Sequence, residues 1–178
     1  LPGYHRLATG VTPGDVGVLG GWGVTGSATY NNGYAWSGPR RETWGMNTIE
    51  GVGSLMTVRF DNPGAAEAVP HEAIFAVNDS GAGLFVYAAD GSLELAGVAV
   101  SVTGFGSSAY GNWAFSVNLD GLRNWILPIA DPGAPITSSV EAPRASLFGS
   151  GAPSVVWASA VIAGTLAGRR RRASIARA

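Results

Sequence analysis

Asn78-Asp79-Ser80-Gly81-Ala82-Gly83 stands between two apolar runs, Ala73-Ile74-Phe75-Ala76-Val77 before it and Leu84-Phe85-Val86-Tyr87 after it. An acid, a serine and small residues in succession make a tight polar turn. A nucleophilic serine needs such a turn. Its hydroxyl must be exposed, backbone N–H groups must face the developing oxyanion, and the neighbours must be too small to block a substrate. The glycines around Ser80 permit the backbone conformations this requires. A plain polar turn between two strands reads almost the same way, so the rest of the chain has to decide between them.

Outward from that turn the chain alternates short apolar segments with turn signals. Val16 to Leu19, Leu55 to Phe60, Ile74 to Val77, Leu84 to Tyr87, Leu93 to Val102 and Trp113 to Val117 are the strand candidates. Asp61-Asn62-Pro63-Gly64 and Ala89-Asp90-Gly91-Ser92 are turn sequences, the second expected to close a hairpin. Gly26 to Arg41 reads as a long surface loop. Six strands with no long helix predict an all-β fold, a single antiparallel six-stranded barrel, followed by a short closing helix near Trp125-Ile126.

Composition narrows the chemistry. The 178 residues include 27 glycines and no cysteine, which favours strands and turns and excludes disulfides, thiolate metal sites and a cysteine nucleophile. With only His5 and His71, a histidine-rich metal centre is not expected, and no metal or cofactor is implied. The net charge of −1 conceals an asymmetry. Residues 1–150 hold all twelve acids against six arginines, whereas residues 151–178 hold five arginines and no acid. An acidic body argues against nucleic acid as a partner.

Four segments around the serine, in order, carry a resemblance. They are Leu19-Gly20-Gly21-Trp22-Gly23, the Asn78–Gly83 turn, Leu95-Ala96-Gly97-Val98-Ala99-Val100-Ser101, and Gly111-Asn112-Trp113-Ala114-Phe115-Ser116-Val117 with the closing Leu119–Ile126 segment. Together they resemble the C-terminal half of a chymotrypsin/trypsin-like serine protease over residues 1–127. The resemblance implies a serine endopeptidase acting on protein or peptide substrates, with Ser80 as nucleophile and the N–H groups of Asn78 and Ser80 as the oxyanion hole. Asn78 stands where the family has glycine, and Asn accepts positive φ more readily than most residues. Asp79 matches the acid that pairs with a freed N-terminal amine after activation. Ser101 matches the serine beside the catalytic dyad, and Val102-Thr103-Gly104 the wall on which substrate backbone pairs as an added strand. Ile74 falls at the pocket-floor position, where no charge would meet a substrate cation; Glu72 lies two residues further back, so a slip of alignment would bring in an acid.

The family's catalytic His and Asp belong to its other barrel. His5 and His71 are expected to be ordinary solvated or packed histidines, and the chain is expected to be a piece of a longer protease. The alternative is a non-catalytic surface β-domain, a decayed protease or an adhesion module.

Pro128 to Ser150, with Pro128, Pro132, Pro135 and Pro143, reads as an extended linker, and the organisation is therefore 1–127 barrel, 128–151 linker and 152–178 tail. Ala152 to Gly168 is a 17-residue uncharged run, at the lower limit for spanning a bilayer, and Arg169-Arg170-Arg171-Arg172 follows it directly. This tail resembles the PEP-CTERM type of sorting signal, although Ala152-Pro153-Ser154 replaces its Pro-Glu-Pro. That resemblance implies export to a bacterial cell surface or beyond, a tail held in the membrane before processing, and an exosortase-like processing enzyme as partner. A plain C-terminal anchor is the simpler alternative.

Overall fold

A computed structural model describes residues 5–26, 29 and 32–130. Eight strands run in chain order: β1 Val16–Gly21, β2 Gly33–Ala35, β3 Thr43–Val52, β4 Leu55–Arg59, β5 Gly83–Tyr87, β6 Leu93–Val102, β7 Ser107–Ala109 and β8 Trp113–Asn118. Six of them close into an antiparallel barrel in the order β1-β3-β4-β8-β6-β5, and β2 pairs with β7 in a separate two-stranded sheet. The all-β six-stranded barrel is the architecture that the strand count predicts. A 3-10 turn at Asp120–Leu122 leads into the closing helix α1, Arg123–Ala130.

A six-stranded barrel has a narrow interior, so what fills it must be small or must face a gap. Leu19, Ile49, Met56, Val58, Phe75 and Leu84 form the bulk of the core, packed with Ala8, Ala96, Ala99 and Ala114. Two glycines make the room. A Cβ on Gly17 would lie 2.7 Å from Leu84 Cδ1, and one on Gly97 would lie 2.6 Å from Met56 Cε. The hairpin between β5 and β6 forms at the expected place: Gly91 takes φ 79 and donates its N–H to Ala88 O at 2.9 Å.

One of the six barrel strands is not the one the apolar pattern selects. Ile74–Val77 is irregular, and β3 takes the sixth place. The residues of β3 that face inward are Gly45, Asn47 and Ile49, so its buried face is mostly polar or absent and hides the strand signal. The 73–77 segment is instead laid beside β3, with Met46 N–H donating to His71 O at 2.9 Å and Ala73 N–H to Met46 O at 2.8 Å.

Fully buried Asn47 fastens this arrangement. Its amide nitrogen donates to Arg59 O (2.8 Å), Glu72 Oε1 (2.8 Å) and Ala73 O (2.7 Å). Glu72 in turn accepts from the N–H groups of Asp61 and Val69, at 3.1 and 3.2 Å. Burial pushes the Glu72 carboxyl above its ordinary value, against the lowering effect of those backbone donors. Glu72 thus holds the 60–72 loop against the barrel.

The 32–41 part of the expected long loop carries regular pairing. Val24 bridges to Arg40, and β2 within it pairs with β7. At the other end α1 passes three residues beyond the expected boundary at 127 and includes Pro128, which forfeits the hydrogen bond its N–H would have given. The Arg123 guanidinium donates to Leu7 O at 2.9 Å and ties the helix to the first described segment. The linker beyond Ala130 and the 152–178 tail lie outside the described residues. No helix among the described residues is long and apolar enough to cross a membrane.

Candidate nucleophile turn and its cavity

The Asn78–Ser80 turn is built from two unusual backbone conformations and one buried carboxylate. Asn78 sits at φ 71 and Gly81 at φ 94, both in the left-handed region. Asp79 is only 8% exposed. Its Oδ1 accepts from Gly23 N–H at 2.6 Å, and its Oδ2 from Ala76 N–H at 2.9 Å. Among the described residues no cation pairs with it; two backbone donors hold the charge, as they do at a helix N-cap.

This contact explains the Gly21-Trp22-Gly23 landmark. A Cβ on Gly21 would come within 2.2 Å of Asp79 Oδ1, and one on Gly23 within 2.5 Å of the Asp79 carboxyl. Two sequence landmarks 56 residues apart are therefore one structural unit. Val24 N–H, donating to Val77 O at 3.2 Å, adds a second tie between them.

Within the turn the N–H groups divide into two sets. Those of Asp79, Gly81 and Ala82 are bonded, to Ala76 O (3.2 Å), Ala99 O (2.9 Å) and Asp79 O (2.8 Å). Those of Asn78 and Ser80 donate to no acceptor among the described residues. The Ser80 hydroxyl is exposed and likewise has no hydrogen-bond partner among them. An exposed hydroxyl next to two unpaired backbone donors is the donor set an oxyanion site requires.

Ser80 borders a cavity of about 500 Å³ whose lining is largely apolar: Phe75, Val77, Val100, Val102, Trp36 and Phe105 contribute side chains. Its one charged lining residue is Asp79, with both oxygens already occupied. β6 supplies one wall. A bulge between Ala99 and Ser101 inserts Val100 as an extra residue, and bulges re-aim side chains. Beyond Ala99, β6 keeps β8 on one side and among the described residues has no strand on the other, which leaves an edge beside the cavity.

Of the residues singled out from sequence, Asn78, Asp79, Ser80, Ser101 and Val102 all line this cavity. Ile74 does not. It packs against the core, while its neighbour Phe75, a core residue only 4% exposed, is the one that borders the cavity. Thr103 is also directed away, since its Oγ1 accepts from Trp113 N–H at 2.7 Å and its N–H donates to Trp113 O at 2.7 Å, closing the β6–β8 ladder. Glu72 belongs to the loop anchor described above and not to the cavity.

The histidines lie elsewhere. His5 Nδ1 donates to Leu93 O at 3.0 Å, and its ring lies tilted against Phe85 with centroids 5.0 Å apart. His71 sits at φ 59 with its carbonyl engaged by β3. Neither lines the cavity. Val100, Trp36 and Phe105 were not singled out from sequence. The Gly104-Phe105-Gly106 triplet is the one signal that could have pointed to them, an aromatic residue between two glycines in a loop.

Fold and turn together define a six-stranded β-barrel presenting a serine on a strained loop beside an apolar cavity. No family model and no curated protein matches the chain. Among solved structures it is similar to a mutant of human heparin binding protein (CAP37), with 16% identity, a TM-score of 0.47, and coverage of 75% of this chain and 51% of that chain. The chain thus spans about half the length of that protein.

Proposed function

We propose that this barrel is the nucleophile-bearing part of a trypsin-like serine endopeptidase, with Ser80 attacking the scissile carbonyl and the Asn78 and Ser80 N–H groups receiving the oxyanion. One observation carries the reading: Asp79, buried and held by Gly23 and Ala76, fixes a turn that leaves those two N–H groups and the serine hydroxyl without a partner among the described residues. Each oxyanion donor contributes about 2.7–4 kcal/mol in enzymes where it has been removed. The open edge of β6 at Val100–Val102 suits the backbone of an extended peptide, which would add to it as a strand.

A serine hydroxyl needs a base, and the base an orienting acid. Neither His5 nor His71 lines the cavity, so in this reading both groups come from outside the described residues. The same observation favours a second reading, a β-domain that binds peptides at the cell surface without cutting them. The uncharged 152–168 run and the four arginines after it support export with a membrane-held tail that an exosortase-like enzyme processes.

The test is a fluorophosphonate probe applied to the protein as its native cell makes it. Labelling at Ser80 that disappears in Ser80→Ala supports the peptidase. Absence of labelling on folded protein favours the binding domain, and labelling that persists in Ser80→Ala overturns the assignment.

A further inference from the structure

We propose that Phe105 is a specificity-determining residue that folds over an apolar side chain seated in the cavity beside Ser80; this rests on the peptide-binding reading of that cavity. Phe105 is fully exposed, at 103% of the reference area, an unusual position for a large apolar ring. It is flanked by Gly104 at φ 134 and Gly106 at φ 74. At Gly106 a Cβ would meet nothing within 4 Å, so the backbone conformation, and not crowding, is what calls for glycine there.

The segment is anchored on both sides of Phe105. Before it, Thr103 is tied to Trp113; after it, Gly106 O accepts from Trp36 N–H at 2.9 Å. Trp36 itself is fixed, its Nε1 donating to Ser108 Oγ at 2.7 Å. One wall of the cavity mouth is therefore a held indole. The other is a phenyl ring on a short span between two glycines, each free of the constraint a Cβ imposes.

The lining decides the class of ligand. Phe75, Val77, Val100 and Val102 offer only apolar surface, and the single carboxylate has both oxygens engaged by backbone donors. A lysine or arginine side chain would enter without a counter-charge. An aromatic or branched aliphatic side chain would gain by burying its own surface, and by burying Phe105 with it.

The experiment is titration of the folded chain with N-acetylphenylalaninamide, N-acetylargininamide and N-acetylglycinamide, followed by amide and indole NMR shifts. The phenylalanine compound should shift the Trp36 indole and the Phe105 and Gly106 amides saturably, and bind about tenfold or more tighter than the arginine compound. Phe105→Ala should weaken it about five- to tenfold, with Phe105→Leu restoring most of the affinity. Equal affinity in Phe105→Ala, equal affinity for the arginine compound, no saturable binding, or shifts that map elsewhere would each overturn the proposal. None of these readouts needs a reactive serine, so failure here is distinct from failure of fluorophosphonate labelling.

Discussion

The two sides of the cavity are held in opposite ways. On one side the Asn78–Ser80 turn is over-determined: a buried carboxylate, two glycines shaped around it and ties to Gly23, Val24 and β6 hold the Asp79, Gly81 and Ala82 segment in place. On the other side Phe105 stands in solvent between two glycines, with its neighbours anchored and itself unattached. Chemistry that depends on donor placement needs the first kind of construction, since a small displacement of an oxyanion donor costs much of its effect. Recognition of a side chain tolerates the second, because burial of apolar area is non-directional. Rigidity is spent where geometry matters and withheld where only contact does.

Breaking the rigid side should give the largest effect. Asp79→Ala leaves the buried Gly23 N–H and the half-buried Ala76 N–H without acceptors, at about 1–3 kcal/mol for a buried group, so unfolding free energy should fall by about 3 kcal/mol. Asp79→Asn keeps one acceptor oxygen and sets an NH2 against the other N–H, and should lie between Ala and wild type. Gly23→Ala attacks the same contact from the other partner and should cost about 1–3 kcal/mol through overpacking. Urea midpoints for the three variants check the order. A near-wild-type Asp79→Ala would mean that the turn does not depend on this carboxylate.

A smaller break isolates the backbone strain. Asn78 at φ 71 occupies a conformation that costs an ordinary L-residue about 1–2 kcal/mol. Asn78→Ala should therefore lower stability by about 1 kcal/mol, while Asn78→Gly should stay within about 0.5 kcal/mol of wild type. If both variants unfold alike, the strain is carried elsewhere in the turn.

How much of this was legible depended on whether the signal was local. β1, β4, β5, β6 and β8 stood out because most of their buried positions carry Val, Leu, Met or Ala, with Gly17, Gly97 and Ser116 the exceptions. β3 did not, because it buries Gly45 and Asn47, and Asn47 is there to bind Glu72 and Ala73 O across the chain. Ile74–Val77 misled for the converse reason: its apolar residues serve the core edge and the cavity from an irregular path. The positive φ at Asn78 was readable from the residue itself. The partnership of Asp79 with Gly23 was only half visible, as two landmarks without a reason to touch. Trp36 and Phe105 escaped because their places are set by the pairing of β2 with β7, two three-residue strands far apart in sequence.

The smallest expected effect lies away from the cavity, at the β5–β6 hairpin, and serves as a control for the comparison. Asp90 is exposed, and its carboxyl is held down at about 2, below the ordinary 3.8. The Ser92 hydroxyl and N–H are the main cause, with Arg6 adding to them. A carboxylate whose folded value is depressed contributes stability at pH above about 3.8, and that contribution is lost as pH falls towards about 2. Glu72, whose value is raised by burial, acts with the opposite sign: its folded form holds the proton more tightly, so its effect runs against stability as pH rises above 4.5. The two windows do not overlap. Asp90→Asn should therefore flatten the fall in stability between about pH 4 and 2 and leave the dependence above pH 4.5 unchanged, as thermal melts across that range would show. Ser80 labelling should not respond to Asp90→Asn at any pH, because among the described residues the Ala88–Ser92 tip of the hairpin shares no hydrogen bond with the turn; a change there would mean that the rigid side of the cavity is less isolated than its bonding indicates.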